Sequence, residues 1–273
     1  MMTADHRKQV PILILGGTGE ARQLAQQLNT WPALAVTLSL AGRTAQPQLP
    51  QGGRLHVRTG GFGGVEGLSD HLRRQGVRVL IDATHPFAAR MSAHAILAAR
   101  LADVPLLAID RPAWPRESGD RWIEVPDMAG AAAALGEAPQ TVFLAIGRQE
   151  VAPFRRAPQH RYIVRSIEPV AQDALPPGAT AVLARGPFAE ADERRLFEMH
   201  GVTVIVAKNS GGAATYGKIA AARGLDLPVV MVQRPSVDAA GHAPDMTVPD
   251  ADAALSALRV LLPHLSAPDD RGE

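Results

Sequence analysis

Three stretches of this chain carry residue types at spacings suited to chemistry. The first is Gly16-Gly17-Thr18-Gly19-Glu20, which follows the apolar run 10–15 and precedes Ala21, Leu24, Ala25 and Leu28 at helical spacing. Strand, glycine turn and helix in that order build a phosphate cradle, because glycines admit an anion close to the backbone and the first helical N–H groups point at it. The match to G-x-G-x-x-G is incomplete: Thr18 takes the second glycine position and Ala21 the third. A strand–turn–helix with no ligand is the plainer alternative. The second stretch is Gly42-Arg43-Thr44, at the end of a strand expected over residues 33–40. A carboxylate there would hold a ribose through its hydroxyls. Arg43 instead offers a planar fork of charged donors that suits a 2′-phosphate, so NADP(H) is expected over NAD(H). Read alone, Arg43 is equally a solvated loop arginine. The third stretch is Asp82-Ala83-Thr84-His85-Pro86-Phe87, closing a strand over 77–82. Ligands of open parallel sheets lie beyond such carboxyl ends, and Pro86 holds His85 out of the helical region. His85 is then either part of a reacting site or a structural loop histidine.

Cations form the other pattern. Arg148, Arg165, Arg185, Lys208 and Arg234 each stand at or just past the expected end of a strand in the second half of the chain. Strand ends of a parallel sheet converge on one rim, and five cations there suit a polyanionic ligand. Any one of them taken singly reads as a solvated loop residue.

The elements that must position these groups alternate regularly. Strands are expected at 10–15, 33–40, 55–58, 77–82 and 105–109, with helices between them, among them 88–102. Residues 110–116, Asp-Arg-Pro-Ala-Trp-Pro-Arg, have the proline content of a connector, with Trp114 expected at a domain seam. The second half repeats the alternation, with strands at 141–146, 161–164, 181–184, 202–206 and 228–232 and a last helix over 251–265. This is an α/β chain with parallel sheets, in two domains, 1–112 and 113–273.

Composition limits the partners. The 28 Lys and Arg nearly balance 27 Asp and Glu, which excludes the basic footprint of general nucleic-acid binding. The absence of cysteine removes disulfides, thiolate catalysis and thiolate metal sites. The nine histidines show no i, i+4 pairing beside carboxylates, so no metal site is expected. No apolar run reaches the ~20 residues that cross a bilayer, and residues 1–9 are polar. A cytoplasmic protein that needs no protein partner is the expectation.

Taken in order, several blocks resemble the precorrin-6A reductase family of cobalamin biosynthesis. They are Leu15-Gly16-Gly17-Thr18-Gly19-Glu20-Ala21, Ser39-Leu40-Ala41-Gly42-Arg43, Gly60-Gly61-Phe62-Gly63-Gly64 and Asp82-Ala83-Thr84-His85-Pro86-Phe87-Ala88. Gly147-Arg148-Gln149, Arg185-Gly186-Pro187-Phe188 and Lys208-Asn209-Ser210-Gly211-Gly212 follow, and the blocks span residues 12 to about 235. The resemblance implies two Rossmann-like domains with an active-site cleft between them, NADPH in the first, and hydride transfer to one ring double bond of a tetrapyrrole without flavin or metal. Its substrate would be precorrin-6A and its product precorrin-6B.

Residues and resemblance together assign the coenzyme to Gly16, Gly17, Thr18, Gly19, Glu20, Ser39, Gly42, Arg43, Thr44, Gly61, Phe62 and Thr84. Asp82 and His85 are assigned to catalysis, and Arg148, Arg165, Arg185, Lys208, Asn209, Ser210 and Arg234 to the substrate carboxylates. Phe62, Phe87 and Trp114 are expected over flat ring faces. Two rival readings remain. A short-chain-type reductase or epimerase needs Tyr-x-x-x-Lys, and Tyr216 and Lys218 have the wrong spacing. A non-catalytic NADP(H) sensor would have no use for the basic rim.

Overall fold

The computed structural model describes residues 9–42, 47–50 and 54–263. The chain runs through β1 (Val10–Leu15), α1 (Gly19–Leu28), β2 (Leu34–Leu40), β3 (His56–Thr59), α2 (Gly64–Arg74), β4 (Val79–Asp82), α3 (Ala89–Ala102) and β5 (Leu106–Ile109). It continues with β6 (Trp122–Val125), α4 (Met128–Ala133), β7 (Thr141–Ala145), β8 (Arg161–Ser166), β9 (Thr180–Leu183), α5 (Glu190–His200) and β10 (Val204–Lys208). Next come α6 (Gly217–Gly224), β11 (Val229–Val232), β12 (Met246–Val248) and α7 (Ala251–Leu261).

Two compact units result: residues up to Arg111 together with those from Ser236 onward, and residues 112–235. The chain from Ser236 therefore belongs with the first unit, whereas the sequence reading put all of 113–273 in the second. The reason is physical. Without the returning segment, β5 would be an open edge and one face of α1 would lie bare. β12 pairs with β5 through Met246↔Leu107 and Val248↔Ile109. Ala254, Ala257 and Leu258 of α7 join Leu24, Ala25 and Leu28 of α1 in one buried cluster.

Each unit holds a six-stranded, wholly parallel sheet, in the order β12-β5-β4-β1-β2-β3 in the first and β6-β11-β10-β7-β8-β9 in the second. Both sheets wind alike. In the first, β1, β2 and β3 step outward one way and β4 and β5 the other. In the second, β7, β8 and β9 correspond to the former and β10 and β11 to the latter. The sixth place is filled differently in the two units, by the late strand β12 of the returning segment in the first and by β6, which precedes the other strands of its unit, in the second. Helices cover both faces of the first sheet: α1 and α7 pack on one, α2 and α3 on the other, each over a buried aliphatic cluster. Phe143, Phe197, Ile205 and Ile219 build the core between the second sheet and the α5–α6 pair. In sheets of this winding a crevice opens where the strand order reverses, beyond the carboxyl ends of the strands. Those places are β1/β4 and β7/β10.

Candidate active site

At the β1/β4 reversal the glycine turn has the geometry of an anion cradle. A Cβ on Gly16 would lie 2.6 Å from Leu38 Cδ1, so a side chain here would have to push aside the end of the Leu38 side chain on β2. Gly17 has φ +123°, a conformation that strains other residues, and a Cβ there would meet nothing within 4 Å. Thr18 caps α1 by accepting the Ala21 N–H at 3.1 Å and donates its hydroxyl to the Ala83 carbonyl at 2.8 Å. That second bond ties the cradle to the end of β4. Gly19 opens the helix with open space around it. Glu20 sits in the first turn and is paired with Arg111 at 2.7 Å. Burial pushes its carboxyl upward, but the Arg111 hydrogen bond, its own backbone N–H, the Arg111 charge and Thr18 outweigh this and hold it below the ordinary range. A carboxylate at the cradle would repel a phosphate, and Arg111 cancels that charge. A cavity of about 10 Å³, roughly the size of one water, lies among Thr18, Glu20, Ala83, Thr84 and Arg111.

The strand ends beside the cradle line up in one row. Asp82, Leu15, Ser39 and Arg58 are successive cross-strand partners on β4, β1, β2 and β3. Asp82 is buried, and its Oδ1 accepts the Thr84 N–H at 3.0 Å and the Thr84 hydroxyl at 2.7 Å. It thereby fixes the turn that carries His85. Nδ1 of His85 accepts the Phe87 N–H at 3.2 Å, which assigns the proton of the neutral ring to Nε2. The rings of His85 and Phe87 lie 5.8 Å apart. Ser39 is buried, its carbonyl taking the Gly16 N–H at 2.8 Å and its hydroxyl the Arg58 guanidinium at 2.8 Å. Gly42 lies two residues past β2, beside Thr59. Gly61 accepts from Arg58 at 3.0 Å, and Phe62 lies under the Arg58 guanidinium, 3.8 Å from its centre. Arg43 and Thr44 lie outside the described residues.

At the equivalent reversal of the second sheet, β7 leads into Arg148 and β10 ends in Lys208. Lys208 is paired with Glu150, which follows Arg148 in a short 3₁₀ turn. Beyond Lys208 the chain is held tightly. Buried Asn209 accepts the Trp114 N–H at 2.8 Å and donates to the Trp114 carbonyl at 3.2 Å, spanning both backbone groups of one residue. The indole N–H of Trp114 reaches the Gly212 carbonyl at 2.9 Å. A Cβ on Gly211 would fall 2.0 Å from the Pro112 carbonyl oxygen. Arg234 donates from Nε to the Asn209 carbonyl at 2.9 Å and from Nη2 to the Ser210 carbonyl at 3.1 Å. The block Lys208–Gly212 is thus a cleat that grips residues 112–114 and presents Lys208. Arg185 is exposed past β9 on a loop anchored by the Phe188 N–H to the Ala214 carbonyl at 3.0 Å.

Two sequence expectations are corrected in this unit. Arg165 does not stand beyond a strand end, because β8 runs on through Ser166. It is 7% exposed, ion-paired with buried Glu193, and stacked 3.7 Å over Phe188. Its charge is spent inside the unit. Trp114 is likewise no ring cover: it is 7% exposed, with Tyr216 5.8 Å from its ring and the Lys218 ammonium 4.5 Å above it. Four residues escaped the sequence reading: Arg58, Arg111, Glu150 and Glu193. Arg58 offered a signal, an arginine closing a strand before a glycine run, while the others depend on tertiary partners.

Two wholly parallel sheets of the same winding, with a glycine turn at a helix start at one reversal and cations at the other, define a two-unit protein of the Rossmann-like α/β class. The chain matches the family described as Precorrin-6x reductase CbiJ/CobK over residues 11–259, and it belongs to that family. Its known reaction is the NADPH-dependent reduction of a ring double bond in cobalamin biosynthesis. The precorrin-6A reductase of a Sinorhizobium species is 52% identical over 223 residues, 82% of this chain and 84% of that one. The precorrin-6A reductase of Rhodobacter capsulatus is 49% identical over 84% of this chain and 89% of its own. A solved structure described as CobK precorrin-6A reductase superposes with a TM-score of 0.84 at 43% identity, covering 93% of this chain and 97% of that one.

Proposed function

We propose that this chain reduces precorrin-6A with NADPH, the first unit holding the coenzyme and the second the carboxylates of the macrocycle. The observation that carries the reading is the pair of equivalent strand-order reversals. One presents a glycine cradle at a helix start, and the other presents Arg148 and Lys208.

Bound at the cradle, the coenzyme would supply the hydride and no other chemistry. Gly17 and Gly19 leave room for its pyrophosphate, Gly16 lets the turn pass close to β2, and Arg111 cancels the Glu20 charge that would oppose the phosphates. Thr18 locks the cradle to β4, so coenzyme and His85 turn share one rigid frame. Asp82 acts through Thr84 as a positioning residue. His85, with its proton on Nε2, is the group that would donate a hydrogen bond toward the reacting partners. In the second unit Arg148, Arg185 and Lys208 anchor carboxylates, while Asn209, Ser210 and Arg234 hold the turn that carries Lys208.

The short-chain reading loses ground on geometry as well as spacing. Lys218 Nζ is bound to the Thr215 carbonyl, and the Tyr216 hydroxyl is engaged with Glu117 and Arg223. Among the described residues no helix is long and apolar enough to cross a membrane.

Coenzyme choice is assigned to Arg43, for the charge argument given above. Steady-state kinetics with NADPH and NADH test it on wild type and Arg43→Ala. The variant should raise KM for NADPH by roughly 10- to 150-fold, the loss of one charge-assisted contact, with NADH little affected. Equal use of NADH by the wild type, or parallel losses with both coenzymes, would overturn the assignment.

A further inference from the structure

Arg58 has an arrangement that no role assigned so far explains. It is the β3 member of the row Asp82–Leu15–Ser39–Arg58, two strands from the cradle, or about 10 Å at the usual strand spacing. Its guanidinium carbon lies over the Phe62 ring, 3.8 Å from the ring centre. Nη1 donates to the Ser39 hydroxyl at 2.8 Å and the Gly60 carbonyl at 3.0 Å, and Nη2 donates to the Gly61 carbonyl at 3.0 Å. An arginine has five N–H donors. Three are engaged, leaving Nε–H and one Nη2–H without a partner among the described residues. Those two donors are the parallel pair along one edge of the guanidinium, the fork that takes a phosphate or carboxylate bidentately.

Among the described residues no carboxylate is ion-paired with Arg58. His71 packs edge-on against Phe62, with ring centroids 5.1 Å apart. Burial pushes its ring pKa down first, and the positive charges of Arg58 and Arg74 push it further the same way. Partial burial also pushes the Arg58 guanidinium down. A half-buried cation held by an aromatic face and three acceptors, with no carboxylate paired to it among the described residues, is arranged for an anion from outside.

We infer that Arg58 is a specificity residue for the coenzyme's ribose 2′-phosphate, taking it on the Nε/Nη2 edge at the ends of β2 and β3. The inference rests on the NADPH reading above and adds to it a residue fixed by the fold. Ser39 and Phe62 then act through Arg58, one holding its inner nitrogen and the other its plane, and neither needs to touch the coenzyme.

The test uses fragments, so it does not depend on turnover. Calorimetric titration of the full chain with 2′,5′-ADP and with 5′-AMP isolates the 2′-phosphate contribution. Wild type should prefer 2′,5′-ADP. Arg58→Gln should weaken 2′,5′-ADP by roughly 10- to 150-fold and leave 5′-AMP unchanged, which also reports that the site still folds. Arg58→Lys, which keeps the charge and loses the fork, should fall between the two. If wild type shows no preference, the NADPH reading itself fails. If wild type prefers 2′,5′-ADP and Arg58→Gln keeps that preference, the inference is overturned and Arg43 or another group carries the contact. Equal loss of both fragments in both variants would also overturn it, leaving Arg58 as a brace of the 60–62 turn.

Discussion

Arg165 separates substrate anchoring from structural support more sharply than any other residue. Its side chain is 7% exposed and that of its partner Glu193 is 3% exposed. Glu193 Oε2 has no other partner among the described residues. Arg165→Met would therefore strand a buried carboxylate with nothing to balance it. Breaking one member of such a pair costs about 3–5 kcal/mol, far above the about 0–1 kcal/mol of an exposed pair. Loss of the guanidinium from the Phe188 face, 3.7 Å away, adds about 1–2 kcal/mol for a desolvated contact. The double variant Arg165→Met, Glu193→Met removes both charges and should recover most of the loss, since an apolar replacement of a buried pair is often neutral. Urea unfolding followed by tryptophan fluorescence is a suitable assay, because Trp114 and Trp122 both sit in the core of this unit. A large drop for the single variant and recovery for the double one is the expected pattern. If Arg165→Met is as stable as wild type and loses only affinity for the tetrapyrrole, the side chain faces the rim and the reasoning is refuted.

Other outcomes follow from the same geometry. Gly17→Asp places a side chain at φ +123°, a strain of about 1–3 kcal/mol, and a like charge beside the pyrophosphate seat; coenzyme titration should show a large loss of affinity with the fold retained. Lys208→Ala should weaken substrate binding by roughly 10- to 150-fold without changing coenzyme affinity. Glu150→Gln should strengthen substrate binding, since it frees Lys208 from its internal carboxylate; equilibrium binding of both variants checks the pair. The Glu20–Arg111 pair should show in acid. The carboxyl is held below its ordinary 4.5 in the folded state, so its stabilisation is present in full above that pH and is lost as pH falls through the folded value. The stability gap between wild type and Glu20→Gln should therefore close in acid, as read by denaturant midpoints across a pH series.

Much of this architecture is legible from strand and helix periodicity. Strand β1 over 10–15 and the end of β4 at Asp82 stand where the pattern puts them. The two strands that pattern misses are β6 and β12, the sixth strand of each sheet. Both are edge strands of three or four residues with exposed positions inside them, so they lack the apolar run that marks an interior strand. Missing β12 is what misplaced the C-terminal segment. On the site, the glycine cradle and the Asp82–Phe87 turn are readable because local backbone chemistry dictates them. The fate of each charge is not. Lys208, Arg165 and Glu20 find their partners 58, 28 and 91 residues away in the chain, and only the folded sheet brings those together. Arg165 was also misread by a strand boundary: two more residues of β8 put it in the sheet instead of beyond it.

The most direct test of the central claim is a single-turnover reaction with labelled coenzyme. Purified protein is incubated anaerobically with precorrin-6A and NADPH carrying deuterium at nicotinamide C4, and the product is examined by mass spectrometry. Reduction of a ring double bond adds one hydride from the coenzyme and one proton from solvent. The account predicts a macrocycle that gains two hydrogens when the coenzyme is unlabelled, one as hydride from NADPH and one as a proton from solvent, and one deuterium in place of the hydride hydrogen when the coenzyme is labelled on the transferred face. Oxidised coenzyme should appear in equal amount. Tight binding of NADPH with no change in the macrocycle, or reduction without transfer of label from coenzyme labelled on either face, would contradict it.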